Sequence, residues 1–176
     1  MTKSTALLSD DRRHRYELGR VVDDAGTGVV VWFMLNPSTA DEQFNDATIR
    51  RCIGFSKSWG FRELKVVNLI SYRSKNRRDI RQFRNPPFEG EYFTNLSHVE
   101  RVCLEADCII LAWGADGESV GGDAARERAC ELNDEVWVLG WTSNGQPKHP
   151  LYVNAGTVPV QADQLTGTPR LWERSP

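Results

Sequence analysis

Long apolar runs are missing from this chain. None approaches the ~20 residues that a membrane-spanning helix needs. The opening residues, Met1-Thr2-Lys3-Ser4-Thr5-Ala6-Leu7-Leu8-Ser9, hold no apolar stretch that would serve as a signal peptide. The expectation is a cytoplasmic protein with no membrane contact. Histidine is scarce, with three in the chain, and the four cysteines, Cys52, Cys103, Cys108 and Cys130, form no Cys-x-x-Cys pair. Their spacing fits no zinc or iron–sulfur pattern. No metal and no cofactor is therefore expected, and the thiols read as reduced packing residues. Neither Gly-x-Gly-x-x-Gly nor a Walker phosphate loop occurs, and Gly114, Gly117, Gly121 and Gly122 lack dinucleotide-binding spacing. Gly-x-Ser-x-Gly and His-Glu-x-x-His are absent as well. Asp41, Glu42 and Asp46 lie close enough in sequence to hold a cation, but capping and surface roles suit them better.

What is present fits one globular domain. The chain has 176 residues, 40% of them hydrophobic and 26% charged, which is enough to bury a core without splitting. The reading is a single α/β domain over 1–176, with its core at about 16–153 and a C-terminal extension at 154–176. The formal net charge is −2, but it is unevenly spread. Between Ser71 and Arg84 stand Arg73, Lys75, Arg77, Arg78, Arg81 and Arg84 against Asp79 alone. That leaves the segment strongly basic and the rest of the chain acidic. A basic segment just past a strand suits a phosphate-bearing ligand, and it equally suits a solvated surface.

Hydrophobic patterning gives the order of elements. Tyr16-Glu17-Leu18-Gly19-Arg20-Val21 alternates as an edge strand does. The turn Asp23–Gly28 would pair it with the next strand as an N-terminal hairpin. Val29–Leu35 is a continuous apolar run, the mark of a strand buried on both faces, and Pro37 stops it. Asp46 caps a helix from Ala47 to about Trp59, with Ile49, Cys52, Ile53 and Phe55 inward and Gly60 just past its end. A strand over Leu64–Ile70, a helix over Glu91–Glu105 and a strand over Asp107–Gly114 follow. Gly117–Gly122 reads as a flexible loop, Ala124–Leu132 as a helix and Glu135–Gly140 as a fourth strand. The alternation predicts a three-layer α/β/α sandwich around a central four-stranded, mainly parallel sheet, with the edge strand or hairpin added.

Three polar motifs fall at or just past the carboxyl ends of these strands: Asn36-Pro37-Ser38, Asn68 and, after a link, His149-Pro150. In open α/β sheets the ligand crevice lies outside those ends. Residues far apart in sequence are thus expected to converge on one pocket. A buried Asn without partners costs about 1–3 kcal/mol, so Asn68 inside an apolar strand needs either a ligand or loop backbone to satisfy it.

These motifs resemble the ordered motifs of the uracil-DNA glycosylase superfamily. Asn36-Pro37, Asn68, Ala112-Trp113-Gly114-Ala115 and His149-Pro150 occur in the same order, over about Val29–Val153. Ser71-Tyr72-Arg73 and Asn76-Arg77 are similar to the stretch that follows the Asn in one branch. The whole chain also resembles an uncharacterised bacterial family, domain of unknown function 1643. It shares Leu35-Asn36-Pro37-Ser38-Thr39-Ala40-Asp41 and the Gly145-x-Pro147-x-His149-Pro150-Leu151-Tyr152 pattern with that family.

The glycosylase resemblance implies an N-glycosidase acting on DNA or a nucleotide. Asn36 would hold the attacking water, and His149 would donate to the base oxygen as charge develops. Asn68 would read the base edge. Phe44 would stack on the base, and Arg73, Lys75 and Arg77 would meet phosphates. Pro37, Ser38, Trp113 and Gly114 would line the pocket. Leu151 and Ser38 depart from the family's Ser and Gly, and Asn36 replaces the acid of its most active branch. Leu151 and Ser38 favour a rival expectation, a nucleotide or nucleic-acid binding module without chemistry. A small-molecule hydrolase is weaker still, because no nucleophile–base pair occurs in any motif.

Overall fold

The computed structural model describes residues 4–83, 90–163 and 172–173. Strands β1 (Ser4–Leu8), β2 (Arg15–Val21) and β3 (Val29–Met34) lead into helix α1 (Ala47–Ser58) and strand β4 (Glu63–Asn68). After the short helix α2 (Arg77–Ile80) come α3 (Glu91–Leu104), β5 (Cys108–Leu111), α4 (Gly122–Leu132), β6 (Val136–Val138) and β7 (Val160–Gln161). The architecture is mixed α/β.

One seven-stranded sheet runs in the order β1-β2-β4-β3-β5-β6-β7. Strands β4, β3, β5 and β6 are parallel neighbours, whereas β1, β2 and β7 join antiparallel at the edges. The sheet is therefore larger than the four strands expected. The expected hairpin between β2 and β3 does not form, because both edges of β3 are taken by parallel partners, β4 and β5. Strand β2 instead pairs with β1 and with β4.

Alternation along β3 divides the core. Val30, Trp32 and Met34 face α1, which brings Ile49, Cys52, Phe55 and Trp59. Val31 and Phe33 face α3 and α4, which bring Val99, Val102, Cys103 and Ala129. Helices thus cover both faces, which is why β3 and β5 read as unbroken apolar runs. The ends of α1 are set locally. Asp46 accepts from the Ile49 amide at 2.9 Å, and Gly60 at φ 74° turns the chain out of the helix.

The described residues of the C-terminal extension join the fold. Strand β7 pairs with β6, and Trp172 packs edge-on against Trp59 and Trp137 at 5.1 and 5.0 Å. The segment expected to be a flexible loop is an ordered 3₁₀ turn, Ala115–Val120, packed against Trp113. No described helix is long and apolar enough to cross a membrane.

The connection from β3 leads through α1 to β4, and the chain then returns across β3 to reach β5. The direction of winding reverses between β3 and β5, and the carboxyl ends of these two strands are the switch point outside which open α/β sheets bind their ligands.

Candidate functional site

Asn36 follows β3 directly. Its Nδ2 donates to the carbonyls of Pro37 at 2.9 Å and Ser74 at 2.8 Å. Pro37 is buried, and its carbonyl also accepts from the Ser74 amide. The loops after β3 and β4 are stitched together this way, and the Asn36 amide is fixed with Nδ2 inward. Its Oδ1 receives no hydrogen bond from any described residue, so an acceptor stays open at the strand end.

Asn68, opposite Met34 in the β3–β4 register, is 1% exposed. Its Oδ1 accepts from Arg15 Nη2 at 3.1 Å, and its backbone carbonyl accepts from Asn95 Nδ2 at 2.9 Å. The sequence alone leaves Asn68 free to donate and accept. Arg15 takes the acceptor, and Nδ2 remains the open donor, with no acceptor among the described residues.

Arg15 and Arg20 were not among the sequence candidates. Both are buried, at 2% and 4% exposure. Arg15 Nη1 donates to the Ala40 carbonyl at 3.0 Å. Arg20 holds Asn45 Oδ1 at 2.8 Å and the Asp41 carbonyl. Together they pin the loop between β3 and α1. A signal for Arg20 existed, since it shares the inward parity of Leu18 in an alternating strand. The acids of this loop are spent locally, as capping predicts. Asp41 accepts from the Gln43 and Phe44 amides, which hold its carboxyl below the usual range. Glu42 pairs with Arg12, and Asp46 caps α1. No group of three or more potential metal ligands gathers among the described residues.

His149 opens a 3₁₀ turn, Pro150–Tyr152. Its Nδ1 accepts from the Leu151 amide at 3.3 Å, which places the ring proton on Nε2. Burial pushes its pKa down to about 4, with Asp46 opposing that shift. At neutral pH the ring is uncharged, and Nε2–H is its free donor. Four hydrogen bonds fix the loop. The Gly114 amide donates to the Pro147 carbonyl at 2.8 Å and the Lys148 amide to Gly140 at 2.9 Å. From α1, Arg51 donates to the carbonyls of Pro150 and Val153. Gly114 sits at φ 77° and ψ −178°, a region few residues other than glycine adopt. A Cβ there would lie 3.5 Å from the Cβ of His149.

The ends of β3, β4 and β5, the start of α1 and the His149 turn therefore meet on one side of the sheet. Asp46 acts electrostatically on both Arg15 and His149. The model of the family described as Protein of unknown function (DUF1643) matches residues 15–151. The chain belongs to this family. The DUF1643 match runs from Arg15 to Leu151, so Arg15, Asn36, Asn68, Gly114 and His149 all lie inside it. No curated protein and no solved structure matches the chain.

The other candidates of this DUF1643 chain take varied positions. Ser38 and Arg73 border a shallow cavity of about 330 Å³ with Arg12, Arg13, Thr39 and Lys75. Arg73 is partly occupied, donating to the carbonyls of Arg12 and Thr39. Phe44 is 55% exposed on the loop that Arg20 pins. Trp113 does not reach a pocket mouth. It is buried on the α3–α4 face, its Nε1 donating to Gln146 Oε1 at 2.8 Å and its ring edge-on to Phe33. Arg77 begins α2, and its side chain lies outside the described residues. A roomier apolar cleft of about 600 Å³ lies between α3 and α4. Its charged lining pair, Glu100 and Arg128, is closed on itself at 2.8 Å, and Asn68 and Asn95 also border it.

Proposed function

We propose that this protein is an N-glycosidase that hydrolyses the base–sugar bond of a nucleotide or of DNA. The observation that carries the reading is complementary polarity at the strand ends. Asn36 keeps an open acceptor, while His149 and Asn68 each keep an open donor. Breaking the bond leaves the C1′–N electron pair on the base and a developing cation on the sugar. Water adds through its oxygen to C1′, and a proton from it ends on the base. Such a reaction needs no strong nucleophile. It needs a placed water and donors on the side where negative charge grows. Asn36 Oδ1 orients the water without taking its proton. His149, uncharged, donates through Nε2 to a base oxygen. The cationic cavity of Ser38, Arg73 and Lys75 receives phosphate. In this reading the four parallel strands, with helices on both faces, form the core of a glycosylase-like α/β/α sandwich.

A binding module with the same pocket is the second reading. Leu151, exposed beside His149, favours it, because no hydroxyl stands there to grip a phosphate. A base-release assay separates the two. The protein is incubated with uracil-, hypoxanthine-, mismatched-thymine- and modified-cytosine-bearing single and double strands and with free nucleotides. Free base is then detected by mass spectrometry. Release from any substrate supports the glycosidase. Saturable binding of a nucleotide without release replaces it with the binding module.

A further inference from the structure

A guanidinium buried without a carboxylate on it is costly, because desolvation is not repaid by a partner ion. Arg15 is such a group. Its two terminal nitrogens end on the Ala40 carbonyl and on Asn68 Oδ1. Its Nε is buried with no acceptor, and no carboxylate bonds to it among the described residues. The charges that bear on it come from three sides. Asp46 at the start of α1 attracts it, Arg20 on β2 and Arg73 after β4 repel it, and the Cys52 thiol of α1 stays protonated through burial. Asp41 and Glu42 act on Arg20, and Asp41 acts on Arg73, but no carboxylate bonds Arg15, so the field of its own guanidinium bears directly on Asn68. That field acts in a dry interior, where charges are felt strongly.

Asn68 is the outlet for this field. With Oδ1 tied to a cation, the amide cannot flip, and its Nδ2–H is polarised into a stronger donor. A neutral ligand gains only the hydrogen bond, whereas an anionic one also gains the charge behind it. We propose that Arg15 is a positioning residue for the departing base. It fixes Asn68 as a one-way donor and, through that amide, supplies the positive potential that stabilises the base as an anion. This rests on the glycosidase reading and deepens it. The ligand class is a nucleobase with an acidic ring N–H beside a carbonyl. In the reaction the electron pair of the broken C1′–N bond is the charge so stabilised.

The test uses binding, not turnover. Free uracil and a fluorinated uracil, whose ring N–H is more acidic, are titrated into the full chain by calorimetry from neutral to mildly alkaline pH. Affinity for the fluorinated base is expected to rise on the order of tenfold as it ionises, as a charge-assisted bond replaces a neutral one. Arg15→Met should remove the rise, and Arg15→Lys should restore part of it. A merely structural Arg15 would instead weaken both bases equally at every pH. Should Arg15→Met not fold, Asn68→Ala carries the test. Loss of the rise supports the proposal, and its persistence overturns it. Wild-type affinity that is flat with pH overturns the role of Arg15 while base binding stands. Absence of binding by either base overturns the glycosidase reading itself.

Discussion

Gly114→Ala is expected to destabilise the protein and to displace His149. The magnitude follows from the backbone. At φ 77° and ψ −178°, an L-residue is held in a region that costs about 1–3 kcal/mol. The added methyl finds His149 Cβ at 3.5 Å, an ordinary contact, so steric overlap adds nothing. Alanine also restricts the unfolded chain, which returns about 0.4–1 kcal/mol. The net expectation is a loss of about 1–2 kcal/mol. The chain has one escape, rotation of residue 114 to negative φ. That rotation breaks the bond from its amide to Pro147 and moves the His149 turn. Gly54→Ala is the matched control. It lies in α1 with open space around its Cβ, and there alanine should stabilise by about 0.5–1 kcal/mol. Urea denaturation reads the stability, and the His149 ring resonances read the displacement. A Gly114→Ala protein as stable as wild type, with those resonances unmoved, would refute the role assigned to this glycine.

His149 should make stability depend on pH in a defined window. Its folded pKa, about 4, lies below the ordinary 6.5, so the unfolded chain binds the proton first as pH falls. Its contribution is present in full above about 6.5 and drains towards about 4, by at most about 3 kcal/mol; denaturation of wild type against His149→Gln across that window should show the gap closing. Trp113→Phe should cost about 1–3 kcal/mol by stranding the buried oxygen of Gln146, measured by the shift in denaturation midpoint. Asp46→Ala should cost about 1 kcal/mol through the lost cap on the Ile49 amide. It should also depress the His149 pKa further, since Asp46 raises it; a proton-resonance titration checks the direction.

Local chemistry made much of the fold legible. The limits of α1 follow from Asp46 and Gly60, which act within a turn of the helix ends. Strands β3 and β5 follow from apolar runs that only a sheet covered on both faces explains. What escaped was non-local. Strand β1 exists because β2 offers it an edge, and β2 sits beside β4 because β3 has none to spare. Two-residue β7 is too short for any periodicity, and Trp172 reveals itself only once Trp59 and Trp137 are neighbours. Gly117 and Gly122 look like flexible residues, yet a Cβ on Gly117 would lie 1.9 Å from the Trp113 ring and one on Gly122 2.8 Å from it. Their smallness serves packing. Among the site candidates, Asn36, Asn68, Gly114 and His149 stood out as polar or glycine residues at apolar strand ends. Arg15 did not, because nothing in its neighbours announces that a guanidinium will be buried against an amide 53 positions away.

The central claim is that Asn36 and His149 act on opposite sides of one scissile base–sugar bond. Its most direct test is base release by Asn36→Ala and His149→Ala beside wild type, with folding checked by circular dichroism. The account predicts that both folded variants lose release by two or more orders of magnitude, as expected when a positioned water or a transition-state donor is removed. Wild-type rates in either folded variant would contradict it.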